Sequence, residues 1–374
     1  MSRKPIHVLI VDDSAVVRQI LASLLSGNGD MTVATAADPL FALRKMEQER
    51  PDVIVLDLEM PRMDGMTFLR KIMREDPIPV VVCSGYAGSG SEAALHALDE
   101  GAVEVLAKPK IGVSQFLQES AVTFADAVRA AAHARRVPRL RVEPKRSADA
   151  VLPARAFRPP PAGGAGGSGG IGRVVAIGAS TGGTEAIHRI LEALPESCPP
   201  ILIVQHMPEG FTAAFARRLD ASCRIRVAEA ADGDEVLPGR ALVAPGNRHL
   251  LLSRRDGRSV VEVRDGPLVS RHRPSVDVLF RSVAQVAGPA AVGALLTGMG
   301  NDGAAGLLEM RQAGAATFAQ SEETCVVFGM PREAVALGAA GEILPLEEIA
   351  PALLRPAPAA RGAGSSRSGS RAGG

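Results

Sequence analysis

The chain has 374 residues, 46% of them apolar and 22% charged, with a net charge of +1. That is too long for one ordinary core and suits two, and the balance is that of a globular protein, not a disordered one. Tyr86 is the only Tyr, Trp is absent, and the basic excess sits in residues 135–158 and 355–374, which leaves the remainder acidic. A nucleic-acid partner is not expected from that balance.

Residues 1–133 alternate regularly. Strand-like runs lie at 6–11, 31–36, 52–57, 80–83 and 103–107, with helical patterns at about 14–26, 38–48, 65–74, 91–99 and 114–133. Apolar strands alternating with helices predict a doubly wound parallel sheet. Residues 134–172 break the pattern; they are basic and include PPPAGGAGGSGG (159–170), which predicts a flexible linker. Residues 173–350 resume the alternation. Strands are expected at 173–178, 200–205, 225–229, 240–244, 291–297 and 315–320, with a β-hairpin at 249–264 around the turn residues RRDG. Helices are expected at 183–194, 211–221, 275–287, 303–313 and 331–338, and residues 351–374 read as a disordered tail. The fold class is α/β, two doubly wound domains in succession. The four cysteines are far apart and predict neither disulfides nor a zinc site. No run is long and apolar enough for a membrane span or a signal peptide, so the expectation is a soluble, cytoplasmic protein without membrane insertion.

In an open parallel sheet, ligands bind outside the carboxyl ends of the strands. In the first domain those ends carry Asp12 and Asp13, then Asp57, Ser84, and Lys108 with Pro109. Crowded carboxylates repel unless a cation neutralises them, and an all-oxygen donor set suits Mg²⁺. A carboxylate can also accept a phosphoryl group covalently, with a metal and a lysine offsetting the charge.

The second domain opens with RVVAIGASTGG (173–183), which matches G-x-S-x-G at Gly178, Ser180 and Gly182. That spacing can hold a nucleophilic serine on a strand-to-helix turn. The competing reading is a phosphate-cradling glycine turn. A serine nucleophile needs a base and an orienting carboxylate. Among His188, His206, His249 and His272, His206 is best placed, because it ends the run PILIVQ next to the serine's strand. His272 could border the site. Asp302, in the glycine-rich turn after 290–298, is the preferred carboxylate; Asp232, Asp234 and Asp277 are rivals. The amides of Met299 and Thr181 could form an oxyanion hole. The chain order Ser, His, Asp disfavours the α/β-hydrolase family, whose order is Ser, Asp/Glu, His.

Two resemblances emerge from these segments. VDDS (11–14), LDLEMPRMDG (56–65), CSG (83–85) and KP (108–109) resemble the flavodoxin-like response-regulator receiver. The resemblance implies that Asp57 is the phosphoacceptor. It implies Mg²⁺ ligation by Asp13, Asp57 and the carbonyl of Glu59 with support from Asp12, and contacts from Ser84 and Lys108 to the phosphoryl oxygens. Val105 stands where many receivers carry an aromatic switch residue. IGASTGG (177–183), QHMPEGFT (205–212), APGNRHL (244–250), HRPSVDVLF (272–280) and TGMGNDGAAG (297–306) resemble the protein-glutamate methylesterase/glutamine deamidase of chemotaxis, the CheB family.

That family implies Ser180 as nucleophile, His206 as base, Asp302 as its orienter and Met299 in the oxyanion hole. It also implies no cofactor for hydrolysis, methylated cytoplasmic domains of chemoreceptors as substrates, and a chemotaxis histidine kinase as phosphodonor. Because the linker holds the two domains near each other at about millimolar effective concentration, the receiver is expected to gate the second site. A role in a chemosensory pathway other than taxis is the alternative. A transcriptional regulator, a protease or lipase, and a non-enzymatic adaptor are the rival classes.

Overall fold

The computed structural model describes residues 5–27, 29–60, 64–85, 93–94, 96–98, 100–108, 124–132, 146–155 and 172–355. The β-branched runs of the first domain become β1 (Ile6–Val11), β2 (Met31–Ala36), β3 (Val53–Leu56), β4 (Val80–Ser84) and β5 (Glu104–Ala107). They form one parallel sheet in the order β2-β1-β3-β4-β5. The order reverses between β1 and β3, which opens a crevice at their carboxyl ends. Val11 pairs with Leu56 there, so Asp12 and Asp57 leave adjacent strands side by side. Helices α1 (Ala15–Ser26), α2 (Pro39–Gln48) and α3 (Gly65–Glu75) follow the expected pattern. Ser14, Asp38 and Asp64 cap them by accepting from the amides of Val17, Phe41 and Thr67 at 3.4, 2.9 and 2.7 Å. Residues 124–132 form α4; the helical expectation for 114–123 lies outside the described residues.

The second domain is a seven-stranded parallel sheet, β14-β13-β12-β6-β7-β9-β8. Its strands are β6 (Val174–Ala179), β7 (Ile201–Gln205), β8 (Arg226–Glu229), β9 (Arg240–Val243), β12 (Ala291–Leu295), β13 (Ala316–Gln320) and β14 (Glu342–Leu344). Alternate residues of β6 and β7 feed two buried layers: Val175, Ile177, Ile201 and Ile203 on one face, Val174, Ala176, Leu202 and Val204 on the other. The hairpin is β10 (His249–Arg255) and β11 (Arg258–Arg264). The helices are α5 (Gly183–Glu192), α6 (Phe211–Ser222), α7 (Val276–Ala287), α8 (Ala304–Gln312), α9 (Met330–Ala336) and α10 (Leu346–Leu354). β6 lies between β12 and β7, so the chain reverses direction across the sheet at β6. That puts a second switch-point crevice at the ends of β6, β7 and β12.

Two features depart from the compositional reading. Helix α10 buries Ile349, Ala352 and Leu353 and carries the folded chain to Arg355, where composition predicted a loose tail from residue 351. Residues 146–155, expected to be free linker, form a strap on the second domain. Arg281 of α7, 6% exposed, donates to the Asp149 carboxylate at 2.7 Å and the Leu152 carbonyl at 2.9 Å, and its other face pairs with Glu309 at 2.6 Å. Ala148, Val151 and Leu152 pack with Leu251, Val269 and Val278. The Ser270 amide donates to the Arg146 carbonyl at 3.0 Å.

The two domains touch. Asp126 of α4 pairs with Arg271 at 3.4 Å. No described helix is long and apolar enough to cross a membrane.

Candidate active site and phosphoacceptor site

At the carboxyl ends of β1 and β3, oxygens of Asp12, Asp13 and Asp57 lie within 4.8 Å of one another. Lys108 Nζ donates to Asp57 at 2.7 Å and approaches Asp12 at 3.2 Å. Asp12 and Asp57 are each 1% exposed and Ser84 is fully buried, whereas Asp13 is exposed. Burial raises the Asp12 pKa despite Lys108, and the charge of Asp57 adds to the rise. Burial alone would lower the Lys108 pKa; the hydrogen bond and charge of Asp57 outweigh it. One ammonium cannot neutralise three carboxylates, so the cluster suits a hard divalent cation such as Mg²⁺. The Glu59 amide donates to Asp57 Oδ1 at 3.1 Å, which turns the chain over the cluster. Val105, at the expected aromatic position, is buried.

In the second domain, Ser180 follows β6 and His206 follows β7, and their preceding residues Ala179 and Gln205 are paired. The His206 amide donates to the Ala179 carbonyl at 3.1 Å, and the Ser180 amide to the Thr297 carbonyl at 3.0 Å. Gly298 lets this second strand end close in: a Cβ there would lie 2.7 Å from Ser180 Cβ. Gly182, at φ +76°, turns the chain into α5. Among the described residues, the amides of Thr181 and Met299 have no hydrogen-bond partner.

His206 Nε2 lies 2.8 Å from Asp302 Oδ2. The Asp302 carboxylate also accepts from the Val276 amide at 2.7 Å, the Asp277 amide at 3.1 Å and Ser275 Oγ at 2.8 Å. It is therefore seated on the N-terminus of α7, where aligned amides favour an anion. Burial alone would raise its pKa. The hydrogen bond and charge of His206, the charge of His272 and the Val276 amide prevail and hold it well below the usual carboxylate range. His206 Nδ1 is buried and has no partner among the described residues.

The rival residues fall elsewhere. His249 is buried and bonds the Pro267 carbonyl at 2.9 Å. His188 lies within α5. His272 stacks on His206, with ring centroids 3.7 Å apart and planes 7° from parallel. Asp232 and Asp234 pair with Arg255 and Arg240. Asp277 is buried beside Asp302 and accepts from Ser270 Oγ at 3.2 Å and the Gly306 amide at 2.8 Å; burial, then the charge of Asp302, raises its pKa. Sequence reasoning missed Ser275 and the Val276 amide, whose role depends on a helix end meeting a turn 26 residues later. It also missed buried Gln205, which donates to the Ser180 carbonyl at 2.9 Å and the His206 carbonyl at 3.3 Å.

Two open sheets, one ending in a carboxylate cluster with a lysine and the other in a Ser, His and Asp set, mark a receiver-like domain joined to a parallel α/β domain with a candidate hydrolytic site. Residues 175–353 match the CheB methylesterase family and residues 8–118 the response regulator receiver domain. A protein-glutamate methylesterase/protein-glutamine glutaminase of Geobacter metallireducens is 58% identical over 94% of this chain and 99% of its own length. One from Anaeromyxobacter dehalogenans is 59% identical over 93% of this chain and 98% of its own. Among solved structures, the catalytic domain of the Thermotoga maritima CheB methylesterase is 39% identical, covers 49% of this chain and 98% of that one, and has a TM-score of 0.48. The chain belongs to the CheB family of protein-glutamate methylesterases, hydrolases that here carry a response-regulator receiver.

Proposed function

We propose that this enzyme removes γ-methyl esters from glutamates of chemoreceptor cytoplasmic domains, deamidates specific glutamines there, and is gated by phosphorylation of Asp57. The observation that carries the chemistry is the buried His206–Asp302 pair at 2.8 Å, on the same sheet edge as Ser180. With Asp302 accepting from Nε2–H, the lone pair of His206 sits on Nδ1, the nitrogen left for the serine. Ser180 Oγ attacks the γ-carbonyl while Nδ1 takes its proton. The oxyanion is received by the Thr181 and Met299 amides. His206 returns the proton to the departing methoxide, which leaves as methanol, and water then cleaves the glutamyl-serine ester by the same proton route. A glutamine follows the same path and releases ammonia. The imidazolium formed midway is stabilised by Asp302, itself held anionic by α7.

A chemotaxis histidine kinase supplies the phosphoryl group to Asp57. Asp12, Asp13, Asp57 and the Glu59 carbonyl would hold Mg²⁺, which offsets the charge of the acyl phosphate. Ser84 and Lys108 would bind the phosphoryl oxygens. The Asp126–Arg271 contact supports a docked receiver that covers the second site. A cytoplasmic location agrees with the free cysteines Cys83, Cys198, Cys223 and Cys325. The test is methanol release from a methylated receptor fragment: the wild type releases it and Ser180→Ala does not. Retained release by Ser180→Ala would reject the mechanism.

A further inference from the structure

We propose that His272 is a positioning residue for the reaction, whose ring, stacked face to face on His206, fixes the plane of the base and so holds Nδ1 ready for the serine proton. This rests on His206 being the base for Ser180. His206 is held at one edge by the 2.8 Å bond between Nε2 and Asp302. That bond alone does not orient the ring. Nε2 lies close to the line of the Cβ–Cγ bond, the axis about which an imidazole turns, and that torsion is broad and weakly restrained. Nδ1 lies off the axis, so a rotation that keeps the Asp302 bond still swings Nδ1 away. A flat partner on the ring face removes this freedom, and His272 is that partner. The ring centroids are 3.7 Å apart, the contact distance of carbon atoms, and the planes lie 7° from parallel. Asp302 governs one edge of the base and His272 one face.

The backbone around His272 is built to hold it there. His272 closes the turn Val269–His272, in which each end residue donates its amide to the carbonyl of the other, at 3.0 and 2.8 Å. The two central residues, Ser270 and Arg271, have φ of +49° and +72°. Residues other than glycine keep that left-handed conformation only where their surroundings enforce it. Here Val269 is fully buried with Leu251 and Val278. The Ser270 amide donates to the Arg146 carbonyl of the strap at 3.0 Å. The Ser270 hydroxyl donates at 3.2 Å to Asp277, on the same helix α7 whose N-terminus seats Asp302. Arg273, next in the chain, donates to Asn247 Oδ1 at 2.9 Å. His272 and Asp302 therefore stand on one frame, and a turn that merely crossed the surface would need none of these restraints. Arg271, at the tip of the turn, also meets Asp126 of the receiver at 3.4 Å, so docking and stacking share one turn.

The test uses the full chain, treated with a small-molecule phosphodonor so that receiver docking does not limit the rate. Methanol release from a methylated receptor fragment gives kcat and KM for the wild type, His272→Phe, His272→Leu and His272→Ala, and denaturant midpoints report their folding. Phe keeps a flat face, Leu keeps bulk without one, and Ala keeps neither. The inference predicts kcat near the wild-type value for His272→Phe and about 10-fold lower for His272→Leu and His272→Ala, with KM within about twofold throughout, a loss inside the ~100-fold that a misplaced group can cost. Should His272→Ala unfold, Phe against Leu still decides. Equal kcat for Phe and Leu would overturn the stack, as would His272→Phe falling as far as His272→Ala, or a loss carried by KM alone. His206→Ala is measured alongside. Methanol release retained there would reject His206 as the base and the inference with it. Release lost in His206→Ala but unchanged in His272→Leu and His272→Ala rejects only the role of His272.

Discussion

The two sheets solve opposite electrostatic problems at the same topological place. Both sites sit at a switch point, but the receiver gathers Asp12, Asp13 and Asp57 around one Lys108, whereas the hydrolase seats the anion of Asp302 on a helix N-terminus, beside Asp277, whose pKa burial and the charge of Asp302 raise. The first cluster has more negative charge than the protein neutralises, so its chemistry calls for a cation. The second has its charge satisfied by the amides of Val276 and Asp277, the Ser275 hydroxyl and His206. The sheet ends fix where chemistry happens, and the local donors fix which kind.

The predictions that strain this contrast can be ranked by size. Asp302→Asn should lower methanol release by about 10⁴-fold with little change in KM, because the wrong tautomer of His206 is then favoured; steady-state kinetics on a methylated receptor fragment checks this. Removing divalent cations should abolish the phosphodonor response, about 10-fold, while leaving unstimulated methanol release unchanged. A fall of both together would mean that the sites are not chemically separate.

A smaller effect concerns the strap. Arg281→Ala removes the shared partner of the partly exposed Asp149 and Glu309 carboxylates and should cost the second domain about 1–2 kcal/mol in denaturant unfolding. An unchanged midpoint would show that residues 146–155 add no stability.

Much of this was readable before the fold was known, and the rest has physical reasons. Runs such as IHVLIV and ILIVQ announce strands because both faces are buried; Ser180 and His206 follow such runs directly, and Asp302 lies in the glycine-rich turn beyond a third. β14 is three residues long and lies on an edge, so it leaves little pattern. Helix α10 is hidden by Pro351 and an alanine- and proline-rich context. The strap was illegible because Ala148, Val151 and Leu152 make no strand or helix period and sit in a basic stretch; its anchor is Arg281, far along the chain. The stacking of His272 on His206 depends on packing between distant elements, and no local spacing encodes it.

The central claim is that two chemically separate sites act in series. The measurement that meets it most directly is the ratio of methanol release with and without phosphodonor, for the wild type and Asp57→Asn in the same assay. The account predicts a ratio of about 10 for the wild type and unity for Asp57→Asn, with equal unstimulated rates. Equal rates with and without phosphodonor in the wild type would contradict it.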